Sequence, residues 1–163
     1  MQSKQKSILT GDGDNYESTT FHNTKFEKEA METPVVKELY DLLANKYFKE
    51  LTKNRIEPVP DLNKDHFYFF FSDLAKDKSM KRHVHVGTPF SGMIYLDCAD
   101  GSPGTTFHNT DDWTKYYGVY NKKSQQTEIA PDNGKLLLWD SMSEHSVAAT
   151  RWEGPRKTMV FGI

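Results

Sequence analysis

Short apolar and aromatic segments, separated by turn residues, fill the last hundred residues of the chain and restrict its fold more than any other feature. Strand-length segments are predicted at residues 66–71, 82–87, 91–98, 104–108, 116–120, 126–130, 135–140, 145–150 and 156–162. Turn residues such as Pro89, Asn133-Gly134 and Gly154-Pro155 separate them. Many short strands in series are typical of an antiparallel sandwich or barrel, so the pattern predicts a mainly-β fold.

One helix is predicted ahead of the strands, over residues 33–54. Thr33 is suited to cap it, and Pro34 suits its first turn. Apolar residues recur at three- and four-residue spacing, namely Val35, Val36, Leu39, Leu42, Leu43, Tyr47 and Leu51. This stripe predicts a helix that packs on a sheet face. Residues 1–30 are rich in Ser, Thr, Lys, Asn and Gly and predict an irregular arm. A chain of 163 residues suits one domain, so we expect residues 1–163 to form a single domain with strands from residue 66.

The composition excludes several classes of function. A net charge of -2 gives no electrostatic footprint for nucleic acid or for an anionic membrane. Cys98 is the only cysteine, so a disulfide framework is excluded and Cys98 is expected to pack as a small hydrophobe. The chain shows no apolar signal core and no segment of transmembrane length. A cytoplasmic location is therefore expected, and the compact size of the chain favours a small-molecule or peptide substrate.

Histidines supply the candidate metal ligands. His83 and His85 are two apart in a predicted strand and would face the same side, where two neutral imidazoles can bind a transition metal. A solvated pair beside Lys81 and Arg82 fits the spacing equally well. His145 follows the polar turn 140–144 and can reach across a sandwich to an earlier strand, or it can hydrogen-bond locally at a strand edge.

A candidate anion site follows in sequence. Arg156 lies on the last predicted strand, and its planar guanidinium suits a carboxylate if it is buried. Thr158 shares the face of Arg156, and Tyr95 on the 91–98 strand can add a further donor. Arg156 as a surface ion pair and Tyr95 as a core residue are the competing interpretations. Together with the histidines, these residues suit a metal that also holds a small dicarboxylate.

The order of these segments resembles the iron(II)/2-oxoglutarate-dependent oxygenases, and most closely the prolyl-hydroxylase-like branch and small related phage and bacterial proteins. The matching segments are His83-Val84-His85, Ser91 to Leu96, Gly104 to Phe107, Pro131 to Trp139, His145 and Arg156-Lys157-Thr158. They cover residues from about 80 to 163, by pattern rather than by close identity. The resemblance implies a double-stranded β-helix, a jelly-roll or cupin-like fold, with the N-terminal helix packed on its sheet.

The resemblance also implies roles for single residues. The family's distal metal-binding histidine falls on His145, and its first metal ligand falls on His83, or on His85 in a shifted register. Its 2-oxoglutarate-binding Arg and the following Ser/Thr fall on Arg156 and Thr158, and Tyr95 matches a Tyr that often contacts the same carboxylate of 2-oxoglutarate.

The chain departs from the family at the first metal motif. The family's usual motif is His-x-Asp or His-x-Glu, whereas this chain has His-x-His. Three histidines can complete the site, a carboxylate such as Asp97 or Asp100 can do so, or the site is weakened. We favour His83, His85 and His145 as the three ligands, because imidazole suits iron.

The function that the resemblance implies is that of an iron(II)- and 2-oxoglutarate-dependent dioxygenase. Such an enzyme uses dioxygen to hydroxylate a peptide side chain or a small molecule and releases succinate and carbon dioxide. His83, His85, His145 and Arg156 would be its catalytic residues. The alternatives are a non-catalytic jelly-roll binding protein and a three-histidine cupin dioxygenase that needs no 2-oxoglutarate and has no role for Arg156. Aromatic residues at 111–120 either shape a substrate site or cover one end of the barrel.

Overall fold

The computed structural model describes residues 8–10, 17–19, 29–53, 67–108, 126–149 and 152–163. The predicted strand at 116–120 and the aromatic segment at 111–120 lie outside these ranges. Within them, no helix is both long and apolar enough to cross a lipid bilayer.

The described residues form two antiparallel sheets. The ten strands are β1 Ile8–Thr10, β2 Glu17–Thr19, β3 Tyr68–Leu74, β4 Met80–His83, β5 Phe90–Cys98, β6 Thr105–His108, β7 Gln126–Ile129, β8 Leu136–Asp140, β9 His145–Val147 and β10 Arg156–Gly162. The large sheet has the order β1-β2-β3-β10-β5-β8, and the small sheet has the order β4-β9-β6-β7. Several pairings join strands that are not consecutive in the chain, namely β3–β10, β10–β5, β5–β8, β4–β9 and β9–β6, so both sheets depend on long-range contacts.

The N-terminal helix consists of an α-helix over Pro34–Leu42, a π-helical turn over Leu43–Tyr47 and an α-helix over Phe48–Thr52. Pro34 occupies the first turn as predicted. The predicted side-chain cap is wrong, because the Thr33 hydroxyl donates instead to the Ala30 carbonyl at 2.7 Å.

The helix packs on the outer face of the large sheet, as predicted. Val36 and Leu43 are buried in one cluster with Phe69, Phe90 and Phe161. Each such buried side chain contributes roughly 1.5–3 kcal/mol to folding, so this layer stabilises the sheet that carries the interior residues.

The helical stripe is narrower than the sequence predicts. Val35 and Leu42 are exposed, because each lies one position, about 100° of helical rotation, before a residue that faces the sheet.

Alternate side chains of β10 face opposite sides of the large sheet. Met159 and Phe161 face the helix layer, whereas Arg156, Thr158 and Val160 line the space between the two sheets. Cys98 packs at the edge of that interior, as expected for a small hydrophobe.

Some segments differ from the sequence prediction. Residues 8–10 and 17–19, expected to be irregular, form strands, and β2 extends the large sheet by pairing with β3. The strand predicted at 82–87 begins earlier and ends at His83, so His85 lies beyond it.

The mainly-β, double-stranded β-helix architecture with a helix on its large sheet is confirmed.

Candidate metal centre

Three histidines meet between the sheets. His83 ends β4, His145 begins β9, and His85 lies two residues past β4. One ring nitrogen from each lies within 4.8 Å of the other two. The ring centroids are 4.3 Å apart for His83 and His145, 5.0 Å for His85 and His145, and 5.3 Å for His83 and His85. The histidines that the sequence singled out are therefore brought together, and we call them the triad.

An irregularity in β4 positions His83. Met80 pairs with Val147 and His83 pairs with His145, so β4 advances three residues while β9 advances two. The additional residue acts as a β-bulge and turns the strand. Met80 and His83 both line the same cavity even though an odd spacing in a regular strand would place them on opposite faces.

His85 reaches the triad by a different route from the one predicted. The expectation that His83 and His85 share one strand is wrong, since β4 ends at His83. The His85 amide donates to the Ser141 carbonyl at 2.9 Å, which ties this segment to the turn after β8. The rings of His83 and His85 nevertheless stack, with an angle of 20° between their planes.

Backbone carbonyls orient two rings of the triad. His83 Nδ1 lies 2.8 Å from the Lys81 carbonyl oxygen, and His145 Nδ1 lies 3.0 Å from that of Ser143. A carbonyl can only accept, so Nδ1 carries a proton on both rings, and Nε2 is the nitrogen through which the neutral ring can bind a metal. Such outer hydrogen bonds are typical of metal-binding histidines.

Burial keeps two triad rings neutral. Desolvation, followed by the proximity of His145 and His83, lowers the pKa of His85 from 6.5 to about 3. Desolvation also lowers the pKa of His145 from 6.5 to about 4, although its bond to Ser143 opposes the shift. His85 Nδ1 is buried and has no hydrogen-bond partner among the described residues. Neutral imidazoles with available nitrogens are the form that binds a metal.

The triad forms one wall of a cavity of about 70 Å³ between the sheets. Its lining comprises Phe70, Met80, His83, His85, Met93, Thr105, Trp139, His145, Val147, Arg156, Thr158 and Val160. Trp139 packs edge-on against His145 with 5.1 Å between ring centroids, and Phe107 lies 5.7 Å from the same ring. These aromatic neighbours pack against the ring of His145 and restrict its orientation.

Arg156 lines the same cavity and is 1% exposed. Its Nε donates to the Pro103 carbonyl at 2.9 Å, and its Nη2 donates to Thr105 Oγ1 at 3.2 Å. Its guanidinium carbon also lies 5.6 Å from the centre of the Tyr95 ring. The alternative of a surface ion pair is therefore wrong. Thr158, two residues on, lines the cavity beside Arg156 as the sequence predicts.

Tyr95 is buried but is not among the side chains that line the cavity. Its hydroxyl lies 2.8 Å from Thr105 Oγ1 and donates to the Ile129 carbonyl at 3.3 Å. Thr105 therefore links Tyr95 to Arg156 and faces the cavity itself. Sequence reasoning assigned no role to Thr105, although Thr105 lies in the predicted strand 104–108 and in the matching segment Gly104 to Phe107.

The carboxylates considered as alternative ligands lie elsewhere. Asp97 Oδ2 pairs with Lys157 Nζ at 2.9 Å on the outside of the sheet, and Asp100 is exposed. Neither belongs to the group that could hold a metal among the described residues. A β-bulge in β5 explains why Asp97 lies outside. Lys157 pairs with Asp97 and the next residue, Thr158, pairs with Tyr95, so β5 contains one additional residue at this point.

Comparison of the sequence with family profiles gives one match. The profile described as "Putative 2OG-Fe(II) oxygenase" matches residues 71–162, which is more than half of the chain. The matched region contains the triad, Arg156 and Thr158. A comparison with curated proteins finds no match.

The chain is also similar to solved structures. An oxidoreductase of the 2OG-Fe(II) oxygenase family from Burkholderia pseudomallei is 17% identical, with a TM-score of 0.53 over 79% of this chain and 57% of that one. A prolyl-4-hydroxylase from Pseudomonas putida is 14% identical, with a TM-score of 0.49 over 77% of this chain and 60% of that one. This chain thus spans 57% of the length of the Burkholderia protein, and the likeness to that protein supports the fold.

Proposed function

This chain belongs to the 2OG-Fe(II) oxygenase family, and from that membership we propose that it is an iron(II)- and 2-oxoglutarate-dependent dioxygenase. The proposed reaction inserts one atom of dioxygen into a substrate C–H bond and the other into succinate, with loss of carbon dioxide. The observation that carries the proposal is that one cavity is lined by three histidines and by a buried guanidinium.

The triad fits iron(II). Its nitrogens lie within 4.8 Å of one another, and backbone carbonyls leave Nε2 of His83 and His145 available as ligand atoms. Imidazole is a suitable iron ligand, so we propose that His83, His85 and His145 hold the metal. When bound, iron(II) with 2-oxoglutarate supplies the dioxygen chemistry that protein side chains lack.

Arg156 suits the carboxylate of 2-oxoglutarate that lies farther from the metal. A guanidinium presents parallel N–H donors to a carboxylate, and the Thr158 hydroxyl stands on the same face. Thr105 holds Nη2 of Arg156, and Tyr95 holds Thr105. We therefore propose that Arg156 and Thr158 contact 2-oxoglutarate and that Tyr95 acts through Thr105 as a positioning residue.

Three neutral ligands have an electrostatic consequence. A triad without a carboxylate leaves the charge of the bound dication uncompensated by its protein ligands, whereas 2-oxoglutarate brings two negative charges. Metal and 2-oxoglutarate should therefore strengthen each other's binding, because linkage between two ligands is reciprocal. This mutual strengthening would distinguish the proposed enzyme from a protein whose site binds the metal without 2-oxoglutarate.

A dioxygenase that needs no 2-oxoglutarate is the second candidate function, and the three-histidine composition of the triad favours it. It gives Arg156 no role. The placement of Arg156 and Thr158 in the triad cavity supports the 2-oxoglutarate-dependent reaction instead.

Anaerobic titration with iron(II) and then 2-oxoglutarate, followed by visible absorption, tests the proposal. We expect a weak charge-transfer band that appears only when both are present and is lost in His145→Ala. The control is His108→Ala, since His108 bonds to Ser146 and does not line the cavity. Iron binding without a 2-oxoglutarate response would favour the second candidate, and failure to bind iron would leave a non-catalytic binding protein.

A further inference from the structure

A second and larger cavity adjoins the triad. It measures about 450 Å³ and is lined by Tyr68, Phe70, Val84, Val86 and Gly87, together with the two histidines of the His-x-His segment. We call it the groove. His83, His85 and Phe70 line both the groove and the triad cavity. A molecule in the groove therefore lies beside the proposed metal ligands.

The described residues that line the groove, apart from its two histidines, are uncharged. Apart from the two histidines, the described residues around it carry aromatic or aliphatic side chains or are glycine. Tyr68 and Phe70 project from the same face of β3, with rings at 7° and centroids 6.5 Å apart. An unpaired charge buried against such surfaces would lose its hydration without compensation, so the groove favours apolar groups.

Val86 adds an exposed apolar side to the groove. It is 77% exposed, although β-branched apolar side chains are commonly buried. Covering it with a ligand would remove apolar area from water and favour binding. The groove volume also falls within the roughly 300–1,000 Å³ typical of sites for small molecules.

We propose that the groove binds the substrate through an uncharged apolar group, either aromatic or branched aliphatic, and that Tyr68, Phe70 and Val86 determine this specificity. This proposal rests on the proposed function, because it takes the triad as the place where the substrate reacts. It narrows the substrate class to molecules that present such a group next to the carbon to be hydroxylated.

Paramagnetic relaxation provides the test. The full chain is loaded with Mn(II) and 2-oxoglutarate, and electron paramagnetic resonance first measures Mn(II) binding. The probes are the N-acetyl amides of phenylalanine, leucine, lysine and glutamate, and their side-chain proton relaxation is compared with that in the Zn(II)-loaded protein. We expect faster relaxation for the phenylalanine and leucine probes than for the two charged probes.

Two matched variants locate the binding. Val86→Lys should weaken binding of the apolar probes by about tenfold, since it replaces an apolar contact with a charge. Val35→Lys changes a valine that is equally exposed, at 75%, but lies on the helix outside the groove, and should leave binding unchanged. Val86→Ser provides a smaller change, should Val86→Lys not fold.

The outcomes separate the two proposals. Mn(II) binding without relaxation of any probe, or equal relaxation by the charged probes, would overturn the groove proposal and leave the proposed function intact. Equal losses in Val86→Lys and Val35→Lys would also overturn it, because binding would then be unspecific. Failure of Mn(II) to bind would overturn both.

Discussion

His83 and His145 lie directly opposite each other across the β4–β9 pair, with their ring centroids 4.3 Å apart. The two residues are distant in sequence, and the pairing of β4 with β9 brings them together. The bulge in β4 places His83 opposite His145. Because Nδ1 of each ring is held by a carbonyl two residues earlier, both rings are oriented before any metal arrives. Such preorganisation lowers the cost of ordering ligands on binding.

Removing one triad ligand should abolish tight metal binding. We expect His83→Ala to lower iron(II) affinity by more than the roughly 10–100-fold that accompanies loss of an outer hydrogen-bond partner of a ligand. Anaerobic calorimetry measures this. His108→Ala is the control, since His108 lies outside the triad. Unchanged affinity in His83→Ala would exclude His83 as a ligand.

Replacing Arg156 should weaken 2-oxoglutarate rather than the metal. Arg156→Lys retains a positive charge but loses the planar donors that bond to Pro103 and Thr105. The KM for 2-oxoglutarate should rise by about 10–100-fold, as expected for a lost charge-assisted hydrogen bond, while iron affinity measured without 2-oxoglutarate changes little. Lys157→Met is the control, because Lys157 is exposed and pairs with Asp97. An unchanged KM in Arg156→Lys would contradict the assignment.

Thr105 should act through Arg156. Thr105→Val removes the oxygen that accepts from Arg156 Nη2 and contacts the Tyr95 hydroxyl. We expect the KM for 2-oxoglutarate to rise by about tenfold, with kcat at saturating 2-oxoglutarate largely retained. Thr105→Ser keeps the hydroxyl and should restore the KM, which a purely packing role for the methyl group would not produce. Steady-state kinetics at varied 2-oxoglutarate decide between them.

Acid should destabilise the metal-free protein through the triad. The pKa values of His85 and His145 are about 3 and about 4 when folded, against about 6.5 when unfolded. Below about pH 6.5 the unfolded chain therefore binds protons that the folded chain does not, and the free energy of unfolding falls as the pH decreases toward 4. Urea unfolding between about pH 5 and 7.5 measures the slope.

The matched variant for this prediction is the double substitution His85→Gln and His145→Gln. It removes both groups whose pKa values differ between the folded and unfolded chains, so its stability should vary less with pH over the same range. An identical pH slope in the variant and the parent protein would show that other groups control the acid sensitivity.

Much of the fold could be predicted from local patterns. The helix around Val36 and Leu43 follows from three- and four-residue spacing, and the aromatic strand around Phe69 follows from its β propensity and flanking turns. The candidate site residues His145, Arg156 and Thr158 were also identifiable, because their chemistry and spacing fit a family pattern. Thr105 was not, since a threonine in a strand is ordinary until its neighbours are known.

Boundaries were less predictable than elements. The short strands β1 and β2 come from a polar region without strand periodicity, and they are specified by pairing with β3 rather than by their own composition. The end of β4 at His83 likewise depends on β9, since a strand continues only while a partner strand supplies hydrogen bonds.

The sequence by itself determined the mainly-β class, the helix and the residue types available for chemistry, because periodicity and turn residues act over a few neighbouring positions. Tertiary structure alone decided which of them meet. The bulge in β4 turns His83 toward His145, and the bulge in β5 leaves Asp97 outside, paired with Lys157. A one-residue change in register reverses the face of every later side chain, and register is set by the partner strand rather than by the strand's own sequence.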